Sequence, residues 1–259
     1  MFFRQLIFSA VFIGIFSGLL LSISQVFGVT PILIEAELFE ESMPIVVEAV
    51  AHQHHHDNAV TEIDKHIHHT GEAWAPEEGF ERTAYTFIAN ILVGIGFASI
   101  LLVFLSHFNE KFSLDLNFKQ GLFWGLACYL IFFVIPSLGL PPEIPGSKAD
   151  LLENRQSWWL LSVVCSAVGL LVLVFASAKF KVMGAVSLII PFIVGAPHLD
   201  GPTFSHADPQ AVIALNDLHQ QFIVATSLSN FIFWVVLGIS ATWILKKILL
   251  KKNALANKS

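Results

Sequence analysis

Six apolar stretches, each close to the thickness of a bilayer, constrain this chain more than any other feature. A helix rises about 1.5 Å per residue, so crossing a hydrocarbon core about 30 Å thick takes about 20 apolar residues. Such stretches lie near residues 6–26, 83–106, 118–139, 156–177, 181–197 and 221–245. Composition agrees, since only 13% of the residues are charged where a soluble domain carries about a quarter. Mean hydropathy is +0.70, and 24 phenylalanines sit in long runs without charges, for which water would be a poor solvent. The expected fold is all-α: a polytopic membrane helix bundle of about six transmembrane helices, forming a single membrane domain over 1–259. The fifth stretch is short and contains Pro191, so it is expected to be tilted, kinked or incomplete, and a five-span reading stays open.

Loop charge gives the orientation. With a cytoplasmic N-terminus and six crossings, the inside carries ten basic residues (Arg4, Lys111, Lys119, Lys179, Lys181, Lys246, Lys247, Lys251, Lys252 and Lys258). The outside carries four: Lys65, Arg82, Lys148 and Arg155. That asymmetry follows the positive-inside rule and places both termini in the cytoplasm. The first stretch, led by Arg4, reads as an uncleaved anchor, since no clean small-residue cleavage site follows between Ser22 and Thr30. Gly14 and Gly18 in the first stretch, and Gly94 and Ala98 in the second, have the small-xxx-small spacing that lets helix backbones approach.

Acidic residues are more lopsided than topology requires. Of 20, only Glu110 and Asp115 fall inside, giving the outer segments a formal charge of −14 and the inner ones +8. Such a field concentrates cations at the outer mouth. The first external loop, about 27–82, holds most of these acids, beginning with an amphipathic stretch from Pro31 to Glu41 suited to the membrane surface. It then carries His52, His54, His55, His56, Asp57, Glu62, His66, His68 and His69, with seven histidines inside eighteen residues. Imidazole in that density suits cobalt, nickel, copper or zinc, whereas magnesium and calcium prefer oxygen. Were 59–69 helical, Glu62, His66 and His69 would share one face. A mobile polar tract collecting ions without one fixed geometry, or a merely solvated acidic loop, are the alternatives.

The last external loop repeats the pattern with His198 and Asp200, His206 and Asp208, and Asp217 and His219, each pair separated by one residue. Carboxylates often orient metal-bound imidazole, so His198, Asp200, His206, Asp208 and His219 join the candidate metal ligands. At bilayer depth Asn90 and Asn230 are the main polar side chains, expected to bond between helices or to offer oxygen to a passing cation. Helix interruptions at Pro136 and Pro191 would free backbone carbonyls beside a permeation path. Cys128 and Cys165 lie in apolar runs and are expected only to pack.

Several function classes are excluded. The chain has no G-x-x-x-x-G-K-[ST] loop, no H-E-x-x-H and no G-x-S-x-G, so it lacks those routes to nucleotide hydrolysis or hydrolase chemistry. No histidine lies well inside an apolar stretch, which argues against axial haem ligation. Basic residues cluster only at helix ends, so nucleic acid is not an expected partner. The chain reads as no enzyme, with membrane lipid and a metal ion as its partners and no cofactor required.

Read along its length, the chain resembles the CbtA family, the predicted cobalt transporter subunit. The likeness rests on the Arg4-led first span, on Leu33 to Glu37, on the histidine tract, and on Trp74 to Thr83. It continues through Pro136 to Gly146 and Gly195 to Pro197. The resemblance implies uptake of Co²⁺ for cobalamin synthesis, with a small one-span, histidine-ended CbtB-like subunit as partner, in a bacterial inner membrane. Histidine ligands alone do not select cobalt over nickel or zinc; cobalt is what the family implies. The alternative is a membrane-anchored metal-binding or metal-sensing protein that does not transport.

Overall fold

The computed structural model describes residues 2–41, 76–77 and 79–256. Seven helices make up the described chain: α1 (Phe2–Gly28), α2 (Thr30–Glu41), α3 (Phe80–Phe112), α4 (Phe118–Ser137), α5 (Leu152–Phe175), α6 (Lys181–Val194) and α7 (Pro209–Ala256). No strand occurs among the described residues; Ser147 and Phe204 form one isolated antiparallel bridge. Five helices (α1, α3, α4, α5 and most of α7) are long and apolar enough to cross a membrane. The protein is thus a polytopic all-helical bundle.

The fifth apolar stretch becomes α6, with only 14 residues. Pro191 sits buried inside it, and Gly195 at φ 85 ends it. A side chain at that φ would be strained, so glycine is the natural stop. α6 lies antiparallel against α5, so the chain returns to the end from which α5 started. That end, called here the loop end, holds α2, the 138–151 loop, the 195–208 loop and the first turns of α7. One apolar cluster ties them together: Val29, Ala36, Ile144, Phe204, Leu215, Leu218 and Phe222. The Lys148 N–H also donates to the Thr203 carbonyl at 2.8 Å, pairing the two loops. α2 thus covers the start of α7 with its buried Ala36 face.

The opposite end gathers both ends of the chain. Leu6 near the start of α1 and Leu245 and Ile248 near the end of α7 belong to one core with Leu101, Leu105, Leu116 and Trp124. Small residues set how closely the helices of that core approach. A Cβ built on Gly94 of α3 would lie 2.5 Å from the Gly14 carbonyl oxygen of α1, and Ala98 is fully buried, as their spacing predicts. A Cβ on Gly238 of α7 would come equally close to the Gly121 carbonyl of α4, a contact the spacing did not single out.

Both prolines act locally. Upstream of Pro136, α4 widens into a π turn over Leu130–Val134, a common response where a proline removes a backbone donor. The Pro136 carbonyl then accepts from Gly139 and Leu140 as the helix ends. The Pro191 carbonyl is occupied twice, by the Gly195 N–H at 3.0 Å and by the Trp158 indole N–H at 3.1 Å. These carbonyls are committed to protein donors. Cys128 and Cys165 are free thiols.

Candidate functional site at the loop end

Because consecutive long helices alternate in direction, hydrophilic groups sort to the two ends of the bundle. Among the described residues, Glu35, Glu37, Glu143, Asp150, Asp200, Asp208 and Asp217 fall at the loop end. His198, His206 and His219 lie there too, while His107 lies toward the terminal end of α3. Lys111, Lys179, Lys181, Lys246, Lys247 and Lys251 flank the opposite end.

Two arginine–glutamate pairs organise the loop end. Arg82, in the first turn of α3, donates from both terminal nitrogens to both Glu37 oxygens of α2, at 2.8 and 2.6 Å. Such a two-pronged pair fixes orientation as well as charge. It joins α2 to α3, the helices that precede and follow residues 42–79 in the chain. Arg155 at the start of α5 pairs likewise with Glu143 of the preceding loop. Neither pairing has a local signature, since the partners stand 45 and 12 residues apart.

The structure places the predicted ligands as follows. His52, His54, His55, His56, Asp57, Glu62, His66, His68 and His69 lie outside the described residues. In the last loop, Asp208 caps α7: its Oδ1 accepts from the Gln210 N–H at 2.9 Å, a familiar helix-start role. Its own N–H donates to His206 Nδ1 at 2.9 Å. His219 Nε2 donates to the Pro142 carbonyl at 2.9 Å, which sets the tautomer, and its ring meets Phe204 edge-on. His198 and His219 line one hollow of about 160 Å³ together with Glu143, Lys148 and Asp150. Asp200 is exposed. Among the described residues, no three His, Cys, Asp or Glu side chains are grouped closely enough to hold one ion.

A second hollow lies deeper, between α1, α2, α3 and α7, with a volume of about 300 Å³. Gln25, Thr30, Arg82, Thr83, Thr86 and Thr226 are its polar lining, among mostly apolar side chains. At its foot Asn90 donates from Nδ2 to Gln25 Oε1 at 2.6 Å and to Ser22 Oγ at 3.1 Å. Asn90 is thus an interhelical bond, as expected. Asn230 instead donates to the Thr226 carbonyl one turn back on its own helix. Gln25 and the threonines were not singled out from sequence; their i, i+3 and i, i+4 spacing on separate helices gives no local signal of a shared cavity.

Membrane-length apolar helices about a common core, with most acids and histidines at one end and most lysines at the other, define a multi-pass helical membrane protein. More narrowly, the chain belongs to the family described as "Probable cobalt transporter subunit (CbtA)", whose profile matches residues 3–246, nearly its whole length. No curated protein and no solved structure matches it. Family membership makes it a probable cobalt transporter subunit, which by its nature works with another chain and suggests a role other than catalysis.

Proposed function

We propose that this chain is the membrane-embedded subunit of an uptake system for divalent transition-metal ions, with Co²⁺ as the cargo. The loop end faces outward, toward the periplasm of a bacterial inner membrane. The observation that carries the reading is the Arg82–Glu37 clamp. It joins Glu37 and Arg82, which flank in sequence the segment bearing seven histidines, at the end of the bundle where His198, His206 and His219 also lie. Histidines of that segment capture the ion, and the surrounding carboxylates raise its local concentration. No resident cofactor is needed, and nickel or zinc would be bound by the same ligands. A negative-inside potential favours entry of a divalent ion by about 4.6 kcal/mol per 100 mV, twice the single-charge value, so the gradient can drive uptake without nucleotide. The partner is a small one-span, histidine-ended CbtB-like subunit.

The test is cobalt uptake in cells lacking their own cobalt systems. The arms are the chain alone, the chain with its small partner, and the chain with His52, His54, His55, His56, His66, His68 and His69 changed to alanine. Uptake that requires the chain, and that falls most at low cobalt in the histidine variant, supports the reading. Absence of uptake in every arm, with metal still bound tightly by the protein, would replace it with a metal-collecting or sensing role.

A further inference from the structure

Where α5 parts from the bundle, an apolar groove opens at bilayer depth. α5 packs along α6, but it meets the other spans chiefly beside the π turn and the end of α4. Toward the lysine end it stands off from α3 and α7. The space between them holds about 200 Å³, walled by Phe97, Phe104, Trp124, Phe132, Leu170 and Val174 among other apolar side chains. Among the described residues, no charged side chain lines it. A second hollow of about 330 Å³ continues it. Leu171 and Phe175 of α5 belong to both, and along α3 the first ends at Phe104 while the second begins at His107. The Phe175 ring meets those of Phe108 and Phe112 at the junction, with centroids 4.8 and 5.0 Å apart.

The mouth of this groove is chemically different. His107 and Lys111 line the second hollow, both exposed, and no described carboxylate joins them in its lining. The Lys111 ammonium lies 5.4 Å from the Phe112 ring centroid and pairs with no carboxylate among the described residues. The lengths fit as well. Phe97 sits near the middle of α3, fourteen residues before Lys111, which is about 21 Å along a helix. Half a bilayer, headgroups included, measures about 20–22 Å. A groove reaching Phe97 near the midplane therefore ends with Lys111 at the level of the lipid phosphates. An apolar slot with a cation at headgroup depth complements an anionic lipid. A second helix does not fit it. A helix with its side chains is about 10–12 Å across, an acyl chain is about 4 Å thick, and 200 Å³ admits only the chain.

We propose that this groove binds one anionic phospholipid from the lysine-end leaflet, with an acyl chain along Phe97, Phe104 and Leu170 and its phosphate held by Lys111 beside His107. Which side of the membrane supplies the lipid rests on the uptake reading; the site itself does not. The lipid fills the wedge between α5 and the other spans, so its presence ties the α5–α6 hairpin to α3.

The probes are phosphatidylglycerol and phosphatidylcholine with the same acyl chains, added to the full-length protein in detergent. Native mass spectrometry reads the apparent Kd of the first bound lipid. Phosphatidylglycerol should bind about tenfold tighter, the worth of one charge-assisted hydrogen bond. Lys111→Gln should erase that preference and leave phosphatidylcholine binding as it was. Lys251→Gln, at the same end on α7 but outside the groove, should keep the preference. Ala167→Phe fills the hollow from α5 and should weaken first-site binding of both lipids about tenfold, as the displacement of about two methylenes requires. Should that variant misfold, the two surface lysine variants still decide. Equal affinity of the parent for both lipids, or the same loss from Lys111→Gln and Lys251→Gln, means bulk lipid contact only and overturns the proposal. So does an Ala167→Phe protein that binds lipid as before but releases a co-purified partner chain, since a helix would then occupy the groove.

Discussion

Two glycines of α3, two residues apart, should respond in opposite directions to the same added methyl group. At Gly94 a Cβ would lie 2.5 Å from the Gly14 carbonyl oxygen, whereas at Gly96 nothing stands within 4 Å. Ordinary contact would need α1 and α3 to part by about 1 Å, and the opposing atom is backbone that cannot rotate away. Overpacking of that kind costs about 1–3 kcal/mol. Alanine recovers about 0.8–1 kcal/mol of helix propensity over glycine at either position. The clash therefore wins at Gly94, leaving Gly94→Ala about 1 kcal/mol less stable than the parent. Nothing opposes the propensity gain at Gly96, and Gly96→Ala should be more stable by about 0.8 kcal/mol. For a chain of this size 1 kcal/mol shifts Tm by about 2–4 °C, so the two variants should melt about 5 °C apart. The assay is thermal unfolding of the purified protein in one fixed detergent, followed by size-exclusion and tryptophan fluorescence. Equal melting of the two variants, or Gly96→Ala as the less stable, would refute the α1–α3 contact.

Three further perturbations test other parts. Arg82→Ala frees a half-buried Glu37 and should cost about 1 kcal/mol, discounted for solvent screening; the Glu37→Arg, Arg82→Glu exchange should recover part of it, and Tm at low and high salt reads both. Trp158→Phe removes the indole donor to the Pro191 carbonyl and should cost about 1 kcal/mol, loosening α6 from α5 as seen by faster proteolysis after Lys179 or Lys181. Cobalt binding by the full chain should fall as pH drops below about 6.5, where free imidazole protonates. Binding constant from pH 7.5 to 5 would remove the histidines from the account.

Much of the architecture is legible in sequence because a bilayer is a simple ruler. Charge-free length gives the helices, and small-residue spacing gives the Gly14–Gly94 approach. Proline was legible as an interruption, whereas the Trp158 indole that donates to the Pro191 carbonyl from 33 residues away has no local signature. The last loop shows the same limit: the spacing of His and Asp does not reveal that Asp208 caps the start of α7 or that His219 bonds the Pro142 carbonyl. The Arg82–Glu37 clamp exists only once α2 and α3 meet, and the hollow beside Gln25, Thr83 and Thr86 only once α1, α2, α3 and α7 do. Sequence periodicity describes one helix at a time and cannot report them.

The brevity of α6 has a consequence for the lipid around it. Fourteen residues rise about 21 Å, some 9 Å less than an average hydrocarbon core. Val182, Met183, Val186, Ile189 and Ile193 are nonetheless exposed along it. Hydrophobic mismatch of this kind is relieved by drawing the leaflets together, at fractions of a kcal/mol for each ångström. A lipid-facing α6 of this length would draw the two leaflets together on one flank of the bundle. Short-chain lipids would collect there, and a one-span helix of matching length would settle beside it more readily than a long one.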